Sequence, residues 1–269
     1  LIETAVLAQI NHQSLIATKT QRIVKAADGR PVSDFGARRA HNMDAAVYGA
    51  RAAYIGGAAG TATVLAGKQF GIPVGGTMAH SYVMYYQDEL TAFRKYAAIY
   101  PDNCILLVDT IDVLKSGVPH AIEIFREMQA AGIPLTVYGI RLDSGDLAYL
   151  SKKARKMLDE AGFPDARIVV SNSLDEYTIT SILDQGGCIN SFGVGERLIT
   201  AKSDPVFGAV YKIAAVNRDG KFEPRIKISE SVEKITNPGL KEVYRVYDEE
   251  GHAVADLLAN YDEKISTDR

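Results

Sequence analysis

The sequence predicts an α/β fold: a (β/α) barrel of the TIM type with a small β-rich extension at its C-terminal end. Three observations carry this expectation. Short runs rich in Val, Ile and Leu alternate with helical periodicity along most of the chain. Those runs are apolar on both faces, as strands of a parallel sheet covered by helices must be. No run is followed by a GxGxxG turn, which favours barrel closure over the open doubly wound alternative.

The runs fall at 32–36, about 61–65, 72–75, 104–108, 135–140, 167–170, 189–194 and 209–214. Between them, Ala121, Ile124, Phe125 and Met128 follow the i, i+3, i+4, i+7 spacing of one buried helical face. Leu150, Ala154, Met157, Leu158 and Ala161 do the same until Gly162 and Pro164 stop the helix. "SLDE" at 173–176 reads as a capping box opening a helix that runs through Leu183 to Gly186-Gly187. After Asn217, turn signals such as "NRDGKF", "TNPG" and "YDEEGHA" separate alternating stretches, the pattern of antiparallel strands. The expected division is a barrel domain over 1–216 and a β-rich rim, or part of a second domain, over 217–269.

The 269 residues are 47% hydrophobic and 23% charged, enough for a substantial core in a soluble globular protein. A net charge of −3 offers no global attraction for nucleic acid or an anionic membrane, so any phosphate must be bound by local geometry. Two cysteines, Cys104 and Cys188, read as free thiols of a reducing compartment. With no signal peptide or spanning run in view, a cytoplasmic protein is expected. The start at Leu1 without Met suggests a piece of a longer polypeptide.

In a barrel, the loops leaving the C-terminal ends of the strands build the site. Those positions hold Asp34-Phe35-Gly36-Ala37-Arg38-Arg39, Gly60-Thr61, Gly76-Thr77 with His80, Asp109-Thr110, Arg141 to Asp146, Ser171-Asn172-Ser173 and Gly193 to Arg197. Asp, Ser and Gly also serve there as caps and turn formers. Arg141 is harder to explain that way, because a guanidinium at a barrel mouth needs an anion or a buried partner. Asp143 is placed to accept the vicinal hydroxyls of a ribose, directly or through Mg²⁺. Gly193 and Gly195 permit close backbone approach to a phosphate, or simply a turn. Phe35 is either core or a face on which a heteroaromatic ring stacks. His80 lacks the HxH or HxxxH neighbour of a metal ligand, so no metal site is expected among the side chains. It is then a structural histidine or a nucleophile or acid/base group, with Asp109 on the neighbouring strand end available to orient it.

The ordered motifs "SDFGARRAH", "GTMAHS", "LLVDTIDVLKSGV", "GIRLDSGDL", "VVSNSLDE" and "FGVGERLITAKSDPVFGAVYKI" together resemble the nicotinate phosphoribosyltransferase family over essentially the whole chain. The resemblance implies conversion of nicotinate and phosphoribosyl pyrophosphate to nicotinate mononucleotide and pyrophosphate. It further implies ATP as a co-substrate through a phosphohistidine, Mg²⁺, a role in NAD salvage and a homodimer. Carried over by position, it makes His80 the phosphorylated histidine, Asp109 its orienting carboxylate and Asp143 the holder of the ribose hydroxyls. Phe35 would stack on the pyridine ring, Arg141 would meet the nicotinate carboxylate, and Arg38 would serve the phosphate region, with Thr77 and Ser171 also in the substrate site. Gly187, Gly193 and Gly195 would offer backbone groups to ribose and phosphate, and Thr200 would stand nearby. Lys227 and Lys234, in "RIKISESVEKITNPG", would reach phosphates or be plain solvated surface. Ala62 stands where nicotinamide-using relatives carry an acidic residue, which fits an anionic ring substituent. The alternative is an excised nucleotide- or phosphate-binding barrel domain that does not turn over alone.

Overall fold

A computed structural model of the protein describes residues 1–265. The chain divides into two compact units: residues 8–207, and residues 1–7 together with the chain from Gly208 onward.

The first unit is built on a six-stranded, wholly parallel sheet. Its strands are β1 (Val32–Asp34), β2 (Gly60–Thr61), β3 (Asn103–Leu107), β4 (Val137–Leu142), β5 (Arg167–Val170) and β6 (Ser191–Val194), in the order β2-β1-β6-β5-β4-β3. The first strand pairs with the last, Val32 opposite Phe192 and Asp34 opposite Val194. The sheet therefore curves as a half-barrel rather than fanning out from a central first strand. Leu106, Leu107, Ile140, Leu142, Ile168, Val170, Phe192 and Val194 are all buried, as strands covered by helices require.

Helices α1 (Ile2–Ala26), α2 (Met43–Ile55), α3 (Val64–Phe70), α4 (His80–Tyr85), α5 (Glu89–Ile99), α6 (Val118–Ala130), α7 (Leu147–Glu160), α8 (Glu176–Asp184) and α9 (Glu196–Ile199) complete the alternation. The expected face of α6 is buried at Ala121, Ile124, Phe125 and Met128. Asn42, Asp88 and Asp146 each accept a backbone N–H in the first turn of the helix that follows.

Several sequence expectations are corrected. The run at 61–65 stops at Thr61, because the Thr63 N–H turns back to the Thr61 hydroxyl at 2.9 Å and α3 begins at Val64. The run at 72–75 contributes only a bridge, Val74 to Thr61. Residues 209–214 form no strand: Val210 and Ile213 are exposed, and an apolar run without a ladder partner has nothing to hold it extended. The capping box before α8 is Asp175 with Thr178, which exchange hydrogen bonds of 2.8 and 2.7 Å, and not Ser173 with Glu176. Ser173 instead lies in the left-handed region at φ 51°, beside Asn172 at φ 87°, and this pair turns the chain before the helix can start.

The second unit contains two antiparallel hairpins, β7 (Ala215–Arg218) with β8 (Lys221–Pro224) and β9 (Lys241–Tyr247) with β10 (Ala253–Asn260). Among the described residues, no helix is long and apolar enough to cross a membrane.

Candidate active site

A parallel sheet sends every strand's C-terminal end to one edge, so residues far apart in the chain meet there. At that edge lies a cavity of about 520 Å³. The C-terminal ends of β1, β4, β5 and β6 and the 76–81 segment bring Phe35, Arg38, Thr77, His80, Arg141, Asp143, Ser171, Gly193 and Gly195 to its wall. Asp109 stands immediately behind it, its side chain 1% exposed.

Arg141 projects from the end of β4. Its Nη1 donates to the Thr77 hydroxyl in a close contact, and Nη2 lies 3.7 Å from Asp143 Oδ2. The guanidinium is nearly buried, and its Nε has no hydrogen-bond partner. Burial pushes its pKa down from the ordinary value, and the carboxylates of Asp143 and Asp109 act against that. A nearly buried cation at a cavity wall can form a charge-assisted bond to an anionic ligand.

Asp143 is held from several sides. The Ser171 hydroxyl donates to its Oδ1 in a close contact, and its backbone N–H donates to Asp109 Oδ2 at 3.0 Å. The Ser144 hydroxyl donates to the same Asp109 oxygen at 2.5 Å. Asp109 thus ties the tip of β3 to the loop after β4.

His80 opens α4 with its imidazole half exposed. Nδ1 lies 3.0 Å from the Thr110 hydroxyl, while Nε2 lies 3.4 Å from Asp143 Oδ2 and 3.9 Å from Asp109 Oδ1. Asp109, expected to orient the imidazole, thus shares that position with two other groups: Thr110 engages Nδ1, and Asp143 is the nearer carboxylate. Thr110 could have been singled out, since it follows Asp109 at the same strand tip.

Phe35 rests on Gly193: a Cβ at that glycine would stand 2.3 Å from the ring. The Phe35 N–H donates to the Val194 carbonyl at 2.8 Å, fixing the backbone from which the ring projects. Below, Asp34 is fully buried and accepts from the Gly36 N–H at 2.8 Å and the Thr61 hydroxyl at 2.7 Å. Burial raises the Asp34 pKa, and these two bonds pull against it.

Other expected residues lie elsewhere. Gly187 precedes β6 at the N-terminal side of the sheet, where an added Cβ would meet Ile182 at 2.8 Å, so it packs against α8 instead of facing the cavity. The Thr200 hydroxyl is spent on the Glu196 carbonyl at 2.8 Å and does not line the cavity. Lys227 and Lys234 belong to the second unit, where Lys212 donates to the Lys234 carbonyl at 2.7 Å. Conversely, Arg39, Ser81, Asn172, Ser173 and Glu196 line the cavity without having been singled out beyond their strand-tip positions. Ala62 lines it as well. Cys104 is buried and Cys188 half-buried, both free, and burial pushes the Cys104 thiol up to about 12.

Among the described residues no group of three His, Cys, Asp or Glu side chains is arranged to hold a metal ion.

This is an α/β protein whose strand-tip cavity gathers cations, a carboxylate and an imidazole around a space sized for a small-molecule ligand. The chain belongs to the nicotinate phosphoribosyltransferase (NAPRTase) family, whose family model matches residues 31–250, and the family's C-terminal domain matches residues 240–269. It is 54% identical over 267 residues to a nicotinate phosphoribosyltransferase of Bacillus subtilis, covering 99% of this chain and 54% of that protein. A nicotinate phosphoribosyltransferase of Dictyostelium discoideum is 37% identical over 311 residues, with 98% of this chain and 52% of the relative covered. The chain spans about half the length of the curated relatives it matches. The crystal structure of human nicotinic acid phosphoribosyltransferase is similar at a TM-score of 0.80 and 25% identity, over 98% of this chain and 59% of that one. That of a nicotinate-nucleotide pyrophosphorylase from Pyrococcus furiosus gives 0.73 and 29%, over 98% and 62%.

Proposed function

We propose that the chain carries the active site of a nicotinate phosphoribosyltransferase, joining nicotinate to phosphoribosyl pyrophosphate with release of pyrophosphate. The carrying observation is that Phe35, Arg38, His80, Arg141, Asp143 and Ser171, contributed by separate strand tips, line one cavity. Family membership supports the same reading.

In the reaction, the pyridine nitrogen forms a bond to the ribose C1′ as the bond from C1′ to the pyrophosphate oxygen breaks. The electron pair leaves with pyrophosphate. An oxocarbenium-like transition state of this kind asks the protein for positioning and charge stabilisation, not for a side-chain nucleophile on the sugar. Arg141, nearly buried at the cavity wall, meets the nicotinate carboxylate. Phe35, seated on Gly193, offers its face to the pyridine ring, and Ala62 adds no competing charge. Asp143, fixed by Ser171 and Asp109, accepts the ribose hydroxyls. Arg38 serves the departing phosphates, and the backbone at Gly193 and Gly195 lets the 5′-phosphate approach. Lys227 and Lys234 are kept as phosphate-reaching residues on the resemblance alone. Gly187, packed against α8, and Thr200, bonded to the Glu196 carbonyl, do not line this cavity. Any Mg²⁺ arrives on the polyphosphate as part of the substrate.

ATP is the co-substrate and phosphorylates His80, whose position at the cavity wall supports that role. The rest of the proposal is coarser. The sheet order, with β1 beside β6, supports closure into a full (β/α) barrel. Free thiols support a cytoplasmic setting, and a homodimer follows the resemblance. The test is transfer of the labelled γ-phosphoryl group of ATP to protein in acid-labile, base-stable form, together with calorimetry of nicotinate mononucleotide binding and a turnover assay. Label that persists in His80→Ala refutes the phosphohistidine assignment, and a chain that does not bind the mononucleotide refutes the site.

A further inference from the structure

The two ring nitrogens of His80 face different chemistry. Nε2 looks toward two carboxylates, Asp143 Oδ2 at 3.4 Å and Asp109 Oδ1 at 3.9 Å. Asp109 Oδ1 is buried and has no hydrogen-bond partner. A lone pair on Nε2 pointing at two carboxylate oxygens would be repelled by both, whereas an N–H there is attracted. Nδ1 faces a single group, the Thr110 hydroxyl at 3.0 Å. In a neutral ring whose proton sits on Nε2, Nδ1 is an acceptor, and the hydroxyl is the donor that satisfies it.

We infer that Thr110 is a positioning residue for His80, holding the imidazole by Nδ1 while the two carboxylates facing Nε2 keep the resting ring as the Nε2–H tautomer. The inference deepens the phosphohistidine reading and rests on it for its functional consequence. Because Nδ1 is engaged, Nε2 is the nitrogen left to act in the cavity. Nucleophilic use of Nε2 requires the other tautomer, which the ring reaches through its protonated form: Nδ1 takes a proton from solvent, and Nε2 then passes its own to the Asp143 carboxylate. A hydroxyl suits this because it donates to Nδ1 in the first form and accepts from Nδ1–H in the second. A carboxylate at Thr110's position could only accept, and valine could do neither.

The tautomer can be read directly in the purified protein carrying ¹⁵N-labelled histidine. Long-range proton–nitrogen spectra at about pH 8.5, above the ordinary range of an imidazole, report which nitrogen bears the proton. The His80 signals are those lost in His80→Gln. The expected result is an Nε2–H ring in the unsubstituted protein and in Thr110→Ser, and in Thr110→Val a shifted Nδ1 signal, as expected for a ring nitrogen that has lost its hydrogen-bond donor. An Nδ1–H ring in the unsubstituted protein, or a Thr110→Val spectrum unchanged from it, overturns the inference. A second readout is phosphoryl incorporation from labelled ATP: about a tenfold loss in Thr110→Val, the size of one lost hydrogen bond, with restoration in Thr110→Ser and unchanged calorimetric affinity for nicotinate mononucleotide. Loss of that affinity in Thr110→Val, or no recovery in Thr110→Ser, counts against a positioning role. The tautomer is read without ATP or turnover, so a failed phosphohistidine leaves it standing, and a wrong tautomer leaves the proposed reaction standing.

Discussion

Asp109 accepts the backbone N–H of Asp143 at 3.0 Å, so the tip of one strand sets the loop that leaves the next. With Asp109 replaced by Ala, that N–H and the Ser144 hydroxyl lose a charged acceptor in a nearly buried place. The expected cost is about 2 kcal/mol of stability. Urea denaturation measures it, and a variant as stable as the parent would show that the loop holds itself.

Gly193→Ala tests the seat of the Phe35 ring. The new Cβ would stand 2.3 Å from Phe35 Cε2, so the ring must leave its place or the strand must shift. Overpacking of this kind costs about 1–3 kcal/mol. Calorimetry should show weakened binding of nicotinate mononucleotide, and retained affinity would remove Phe35 from the ring pocket.

Arg141→Lys keeps the positive charge and loses the planar fork. If the guanidinium clamps the ring carboxylate, nicotinate affinity falls about 10- to 100-fold, as expected for a lost charged hydrogen bond. Affinity for phosphoribosyl pyrophosphate, which carries no such carboxylate, should change much less. Equal losses for both substrates would place Arg141 elsewhere in the reaction.

Asp175 supplies a pH test. Burial pushes its pKa up, but hydrogen bonds from Thr178 and the Arg197 guanidinium, 2.5 Å away, overcome this and hold it below the ordinary 3.8. A carboxylate with a depressed folded pKa stabilises the protein above its unfolded pKa, and that contribution fades as pH falls through the folded value. Asp175→Asn retains a capping oxygen but loses the charge. The stability gap between parent and variant should therefore be constant above about pH 5 and close below about pH 4. A gap unchanged in acid would show that the ion pair contributes nothing.

The sequence by itself determined the parallel α/β character and most of the strand-tip residues that line the cavity. Apolar runs alternating with helical periodicity point to strands under helices, and a parallel sheet sends their polar ends to one edge. Phe35, Arg38, Thr77, His80, Arg141, Asp143, Ser171, Gly193 and Gly195 were legible on that ground. The tertiary structure decided what depends on partners distant in sequence. Residues 209–214 look like a strand but have no neighbour to pair with, while Ser173 looks like a cap but is turned left-handed ahead of the Asp175 cap. Gly187 sits at the wrong end of its strand, a matter of where α8 stops and not of residue type. Thr110 was in view at its strand tip, but its role was not, because a hydroxyl's role is set by the atom 3.0 Å away, and that atom, His80 Nδ1, comes from a helix 30 residues earlier in the chain.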